Sequence, residues 1–295
     1  MGFRTVLVAT LLVLAGCSGA PGNVGSAGNA TSALQSGNAT TGESGSSAAN
    51  VSLPPGVSRT GITDPNGLAT AHALLLNKNS YTVNSTYVER YANGTTRVAT
   101  SIDAQLAQNK SHYYSVFNAS GNVERLLGSP SGSIQRWSDG RRVYQAATLN
   151  NSTTYKVVYD RRTNVSSPRA ELFLNPTSQN ELALLFGAIN TSAPQPVTRN
   201  GTALFRFRSV GLSQANLFTS AQGVSSPGNV SFVAYVDSRG LVHEYSLSYT
   251  ARNDGTPITV NRTVRYSDVG STTVPRPNWI SKVPVNGTNA TTRSG

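Results

Sequence analysis

Alternation of apolar and polar residues in the last third of the chain constrains its fold more than any other feature. Val230–Asp237, Leu241–Thr250 and Ile258–Asp268 each alternate, and turn sequences around Gly240 and Gly255 separate them. Because successive side chains of a strand point to opposite faces, this pattern predicts three antiparallel strands with one apolar and one polar face. An apolar sheet face has to be covered, so helices are expected against it.

Helical stretches that could supply this cover lie before and between the strands. In the first, Gly67–Lys78, Asp64 is placed to cap the start and Pro65 stands at the first helical position. In Gln179–Asn190, the apolar residues recur at helical spacing on one face. The remaining helical stretches are Arg169–Leu174 and Ser213–Thr219, the latter capped by Ser213.

The rest of the folded part has the pattern of strands joined by short turns, among them Ala119-Ser120-Gly121. The sequence therefore predicts an α+β fold, in which a mostly antiparallel sheet is covered on one face by a few short helices. The expected strands are Ser80–Tyr91, Thr95–Leu106, His112–Asn118, Asn122–Leu127, Ser133–Trp137, Arg142–Leu149, Thr154–Asp160 and Thr202–Val210.

The N-terminus has the pattern of a secretory signal. A basic start at Met1–Arg4 precedes the apolar run Val6–Ala15, which is shorter than the roughly 20 residues of a spanning helix. Leu14-Ala15-Gly16-Cys17 then resembles the lipobox of prokaryotic lipoproteins. The resemblance implies cleavage after residue 16, a lipid on the Cys17 sulfur, and anchoring to the outer face of the cytoplasmic membrane. Cys17 is the one cysteine, so an internal disulfide is excluded. The alternative to lipid attachment is an ordinary cleaved signal with an incidental cysteine.

Composition divides the remainder of the chain. Residues 17–59 are mostly Gly, Ser, Ala, Asn and Thr, and we expect a disordered tether because nothing there offsets the entropy of ordering. Residues 60–285 form the expected folded domain, and residues 286–295 form a disordered tail.

The sequon Asn-x-Ser/Thr occurs about sixteen times, which makes N-glycosylation of an exported chain a hypothesis. Strand alternation places Asn84 and Asn261 opposite the apolar residues, where they would face solvent. The alternative is that a chain rich in Asn, Ser and Thr forms sequons by chance. The candidate sites are Asn84, Asn93, Asn118, Asn164, Asn200, Asn229 and Asn261.

The net charge of +11 is carried mainly by arginine. Arg141-Arg142 and Arg161-Arg162 are local pairs, which are either solvated or attracted to an anionic surface such as lipid head groups or acidic wall polymers. The chain has no recognisable nucleic-acid-binding motif, so nucleic acid is not expected as a partner.

The chain lacks the motifs of common catalytic, phosphate-binding and metal sites. Its three histidines are scattered, and the side chains of His243 and Glu244 point to opposite faces of one strand. We therefore predict no enzymatic activity, no catalytic residue, no cofactor and no metal.

The text around Val236-Asp237 and Gly240-Leu241-Val242, followed by Thr263–Gly270 and Val274-Pro275, is similar to the final strands of the LolA/LprG superfamily of lipoprotein carriers. The segments Ala71-His72 and Ser80-Tyr81-Thr82, together with low lysine and high arginine, resemble surface lipoproteins of halophilic archaea. The superfamily resemblance implies a strongly curved, half-barrel-like antiparallel sheet around helices, with an apolar cavity for acyl chains and no catalysis.

Two interpretations follow. In the first, the domain binds a lipid, another lipoprotein's acyl chains or another lipophilic ligand between sheet and helices; in the second, the interior is solid and the protein is a cell-surface interaction or structural module. In either case we expect a monomer. Candidate cavity-lining residues, each with ordinary core packing as its alternative, are Leu75, Val83, Tyr87, Leu182, Phe186, Phe205, Phe207, Tyr245 and Leu247.

Overall fold

The computed structural model describes residues 52–162, 171–284 and 290–293. The first half contains β1 (Val57–Ser58), β2 (Gly61–Ile62), α1 (Pro65–Lys78), β3 (Tyr81–Tyr91), β4 (Thr96–Leu106), β5 (His112–Gly121), α2 (Glu124–Leu127), β6 (Ser131–Asp139), β7 (Arg142–Leu149) and β8 (Ser152–Asp160). The second half contains α3 (Gln179–Ala188), β9 (Ile189–Thr191), β10 (Gln195–Arg199), β11 (Thr202–Leu212), α4 (Ala215–Gln222), β12 (Ser225–Val236), β13 (Val242–Asn253), β14 (Thr256–Ser267), a 3-10 helix (Asn278–Lys282) and β15 (Ala290–Arg293).

One large antiparallel sheet contains most of these strands. Its order is β10-β11-β12-β13-β14-β3-β4-β5-β6-β7-β8-β15, and β9 pairs with β11. The sheet therefore consists of two meanders, β3–β8 and β10–β14, which are joined where β14 pairs with β3. The two outermost strands of this order, β10 and β15, are not paired with each other, so the sheet is unclosed.

Helix α1 begins where the sequence predicts. The Asp64 side chain accepts a hydrogen bond from the Gly67 amide at 2.9 Å, and Pro65 occupies the first turn. Leu68 and Leu76 are fully buried on its inner face. The expected cap and apolar face of this helix are confirmed.

The helices α1, α3 and α4 pack against one face of the sheet, which we call the inner face. A single apolar cluster joins them to residues as far apart in the sheet as Phe207 of β11 and Tyr159 of β8. Nine interstrand spacings separate these two strands, about 43 Å if the sheet were flat. One core can reach both only because the sheet curves around the helices, and the predicted α+β, half-barrel-like fold is confirmed.

Several local predictions were wrong. Asn122–Leu127 is not a strand: residues Glu124–Leu127 form α2, which Gly128 ends in the left-handed conformation. The expected turn at Ala119-Ser120-Gly121 belongs to β5, which runs through Gly121. Ser213 does not cap a helix, because its hydroxyl donates to the Gly187 carbonyl at 2.6 Å and α4 begins at Ala215.

The segment boundaries also differ from expectation. Leu53 and Val57 pack against the core, so ordered structure begins before residue 60. Strand β15 pairs with β8 inside the segment that the sequence assigned to the tail. The expected helix Arg169–Leu174 lies partly outside the described residues, and its described part, 171–174, is not α-helical.

Candidate functional site

The inner face of the central strands carries polar groups among apolar ones. Tyr245 and Tyr249 of β13, Tyr266 of β14 and Tyr81 of β3 are all at most 2 % exposed. Burial raises the pKa of Tyr245, Tyr249 and Tyr266 well above the usual range of a phenol. Their hydroxyls therefore remain protonated and can donate hydrogen bonds inside the domain.

A partly buried ion pair lies beneath helix α3. Arg262 projects from the inner face of β14 and pairs with Glu181 of α3; the two side chains are 11 % and 34 % exposed. The Tyr245 hydroxyl donates to Glu181 Oε1 at 3.1 Å, and the Arg262 guanidinium lies 5.9 Å from the centroid of the Tyr245 ring. Because burying two charges is costly even when they are paired, this arrangement is unusual for a face that only fills a core.

A second ion pair extends this polar region across the neighbouring strands. Tyr87 lies directly opposite Arg262 in the register of β3 and β14, and its hydroxyl donates to Glu89 Oε1 at 2.5 Å. Glu89 also pairs with Arg97 of β4, and the two side chains are 7 % and 17 % exposed. The polar region therefore spans α3, β14, β3 and β4.

Three buried hydroxyls of the inner face make no hydrogen bond within the described part of the chain. They belong to Ser115, Tyr249 and Tyr266. The Tyr249 hydroxyl has a polar contact with Tyr87 and the Tyr266 hydroxyl one with Ser178, each outside ideal hydrogen-bond geometry. Since buried polar groups in folded proteins nearly always have partners, such hydroxyls are positions where a water or a ligand atom would be held.

This polar region lies near the place where two apolar clusters meet. The larger cluster is the core described above, and Ile102 of β4 packs against both clusters. The inward-facing side chains of Tyr87, Thr100 and Ile102 are only half-buried there. The smaller cluster consists of Val98, Phe117, Ala119, Val123 and Leu127.

The candidate lining residues predicted from the sequence all belong to the larger cluster or pack against it. Leu75 and Tyr87 are half-buried and pack against it. The other seven are 5 % exposed or less, and they are Val83, Leu182, Phe186, Phe205, Phe207, Tyr245 and Leu247.

Sequence reasoning missed the charged residues of the interior. Arg262 lies two residues from both Val260 and Val264, which are buried on the inner face, so strand alternation puts it on that same face. The same alternation that identified the apolar face could therefore have placed Arg262 on it. No comparable signal identifies Glu181, because its contact with Arg262 depends on where α3 packs.

Two surface depressions lie away from this interior. One, of about 480 Å³, is lined by Asp139, Arg141, Arg142, Asp160, Arg161 and Arg162. The other, of about 650 Å³, is lined by Asn77, Ala107, Gln108 and Asn109. Neither includes a predicted lining residue.

His72 adjoins the polar interior, because its ring packs edge-on against Tyr266 with 4.7 Å between ring centroids, and His243 lies near enough to His72 to act on its charge. His72 is buried in α1, its Nδ1 accepts from the Val242 amide at 3.1 Å, and burial lowers its pKa to about 3. Burial would raise the pKa of Asp237, but hydrogen bonds from His243 and Arg239 bring it down to about 2. Within the described ranges, no three His, Cys, Asp or Glu side chains are grouped as metal ligands.

Cys17 and Asn164 lie outside the described residues, so the predicted lipidation site and one predicted sequon have no structural description. No helix in the described ranges combines the length and the hydropathy needed to cross a membrane. The other six candidate glycosylation sites are exposed: Asn84, Asn93, Asn118, Asn200, Asn229 and Asn261.

Fold and interior together define an α+β, half-barrel-like domain with a partly polar inner face. By its sequence, the chain belongs to DUF7537, a family of unknown function that matches residues 3–283. No curated protein is significantly similar to it.

Among solved structures, the chain is similar to a DUF1329 family protein from Desulfovibrio piger, with 10 % identity over 74 % of this chain and 97 % of that chain and a TM-score of 0.26. A LolA superfamily protein from Nitrosomonas europaea shares 8 % identity over 72 % and 95 % of the two chains, with a TM-score of 0.24. A structure of the MucA/MucB complex of Pseudomonas aeruginosa matches with 9 % identity, 70 % and 94 % coverage and a TM-score of 0.11. The superfamily that the sequence resembles is among these structures, but likenesses at such TM-scores carry no argument about function.

Proposed function

We propose that this protein is an exported, membrane-anchored lipoprotein that binds a lipophilic ligand between the inner face of its sheet and its helices, without catalysis. The signal-like N-terminus and Cys17 support the anchoring. The observation that carries the binding role is the pair of buried hydroxyls of Tyr249 and Tyr266, which lack a well-formed hydrogen bond and feel the charge of Arg262 in the Arg262–Glu181 pair. Ligand sites typically combine a mostly apolar lining with a few convergent polar groups, and this interior has that composition.

The energetics of the interior support the same role. A buried polar group without a partner costs about 1–3 kcal/mol, and an apolar side chain of similar shape would avoid this cost. The hydroxyl groups of Ser115, Tyr249 and Tyr266 therefore add little to the stability of the folded domain as it stands. A bound molecule that supplies hydrogen-bond partners would offset their cost.

The same groups indicate the chemistry of the ligand. Arg262 is already neutralised by Glu181, so the part of the ligand that meets them would be polar but uncharged. Hydroxyl, ester and amide groups fit this description, because they accept hydrogen bonds from tyrosine without requiring a free counter-ion. The remainder of the ligand would lie against apolar residues such as Ile102.

A second candidate function is a solid surface module of the cell envelope. Seven of the nine predicted lining residues are 5 % exposed or less, so an acyl chain could enter among them only if α3 moved. In this case the inner face is a core, and the protein contacts envelope partners through its outer surface.

Native mass spectrometry of the full-length protein from its own host, followed by solvent extraction, separates the two functions. Under the first, a lipid co-purifies in near-stoichiometric amount. Tyr249→Phe should then lower its occupancy about 2–10-fold, the value of one hydrogen bond. Tyr235→Phe is the matched control, because Tyr235 faces outward on β12 and packs against Arg199. A bare wild-type protein that takes up no lipid on titration would favour the solid module.

A further inference from the structure

The two arginine pairs of the sequence meet at one place in the fold. Arg141 and Arg142 follow the end of β6, and Arg161 and Arg162 follow the end of β8. The register of β7 and β8 places Arg142 opposite Asp160, and the Arg161 amide donates to the Arg141 carbonyl at 2.9 Å. Together with Asp139, these residues line the depression of about 480 Å³, which we call the arginine depression.

The two aspartates of the arginine depression hold its turns and two of its arginine side chains by hydrogen bonds. Asp160 accepts hydrogen bonds from Arg142 Nε at 2.9 Å and from Arg162 Nη2 at 2.8 Å. Asp139 Oδ1 accepts from the backbone amides of Arg141 and Arg142, each at 2.7 Å. Both carboxylates are therefore engaged in holding the turns and two of the guanidinium groups.

The other two arginines remain available to a ligand. The exposed side chains of Arg141 and Arg161 make no ion pair within the described residues, and four arginines face two aspartates around the depression. A guanidinium group presents planar, paired donors that match phosphate oxygens. The arginine depression thus carries excess positive charge in a form suited to oxyanions.

The position of the arginine depression in the fold indicates where the protein would encounter such an anion. Strand register places three features at the same end of the strands: the β6–β7 turn, the end of β8, and the turn Asp237–Leu241 between β12 and β13. Pro55 packs at this end of the strands, where a Cβ on Gly240 would lie 3.3 Å from the Pro55 Cδ atom. The chain that leads back to Cys17 therefore joins the domain at the end of the strands that carries the arginine depression.

We propose that the arginine depression binds the phosphate groups of anionic lipid head groups, at the membrane in which Cys17 would be anchored. Only the proximity of this membrane rests on the proposed function; the oxyanion chemistry rests on the arginines themselves. Each basic residue near an anionic bilayer contributes roughly a factor of five in binding. Arg141 and Arg161 together are thus expected to contribute roughly 30-fold.

Co-sedimentation with vesicles tests this proposal on the whole chain carrying Cys17→Ser, so that no lipid attached at residue 17 contributes. Vesicles containing phosphatidylglycerol are compared with pure phosphatidylcholine, and inorganic phosphate is titrated separately at constant ionic strength. The test variant is Arg141→Gln/Arg161→Gln. The matched control is Arg90→Gln/Arg252→Gln, which removes the same charge from exposed residues near the opposite end of the strands.

The expected result is preference for the anionic vesicles, reduced roughly 30-fold in the test variant and only slightly in the control. Equal loss in both variants would show that net charge, and not the arginine depression, is responsible. Equal binding to both kinds of vesicle, or no binding, would also overturn the proposal. Binding of inorganic phosphate without vesicle preference would assign the site to a free anion. None of these outcomes depends on whether the interior holds a lipid.

Discussion

The Arg262–Glu181 pair allows the energetics of the interior to be tested without knowing any ligand. The substitutions are Glu181→Leu, Arg262→Met and their combination. Removing one member of a fully buried ion pair costs about 3–5 kcal/mol, because the other charge is left uncompensated. The two members are not equally buried, since Glu181 is 34 % exposed and Arg262 only 11 %.

This difference predicts an asymmetry between the single variants. In Glu181→Leu, the buried Arg262 loses its counter-ion and has little access to water, so we expect a loss of about 3 kcal/mol after allowance for screening at Glu181. In Arg262→Met, the Glu181 carboxylate can turn to solvent, and a loss of about 1 kcal/mol is expected. The double variant should recover most of the stability, since an apolar replacement of both charges is often neutral.

Denaturant and thermal unfolding of the four proteins measure these differences as a double-mutant cycle. A loss of 3 kcal/mol corresponds to a decrease of about 6–12 °C in the Tm of a domain of this size. The more exposed pair Arg265–Glu244 is the control, and Arg265→Met should cost less than about 1 kcal/mol. Equal losses in both single variants, or a double variant as unstable as their sum, would refute the reasoning.

Two further predictions concern other parts of the chain. Because the pKa of His72 is about 3 in the folded protein and near 6.5 in the unfolded chain, the unfolded state binds more protons below pH 6.5. Stability should therefore be complete above pH 6.5 and fall by about 1.4 kcal/mol per pH unit towards pH 3, as measured by denaturant unfolding. His72→Asn, which can still accept from the Val242 amide, should lack most of this slope, and an unchanged slope would contradict the assignment. Cys17→Ser should release the protein to the medium or leave the precursor uncut, and fractionation that finds the processed protein still in the membrane would count against the anchor.

Local sequence patterns were sufficient for the parts of the fold whose cause is local. Asp64 and Pro65 specify the start of α1 through a side-chain cap and a fixed φ angle. The turn at Asp254 and Gly255, both with positive φ, joins β13 to β14 as expected from its sequence. Alternation between such turns then assigned most long strands to within a few residues.

Elements that depend on distant partners could not be predicted in this way. The short strands β2 and β9 are connected by a hydrogen bond from the Ile62 amide to Thr191 Oγ1 at 2.9 Å, across more than a hundred residues of sequence. Whether the interior is filled depends similarly on the placement of α3 against the sheet. The sequence therefore predicted an apolar face, whereas the Arg262–Glu181 contact on that face required the tertiary structure.

The length of the strands makes the control in the vesicle experiment stringent. Strand β3 has 11 residues and is about 36 Å long. It runs from the end of the sheet's strands that carries the arginine depression to the opposite end, where Arg90 lies. Attraction to a charged surface decays within a Debye length, about 8–10 Å at 0.1–0.15 M salt. If the protein rests on the membrane through the arginine depression, Arg90 and Arg252 are several Debye lengths away and their removal should have little effect. Loss of binding in that control would therefore contradict the orientation itself, even if the test variant also bound more weakly.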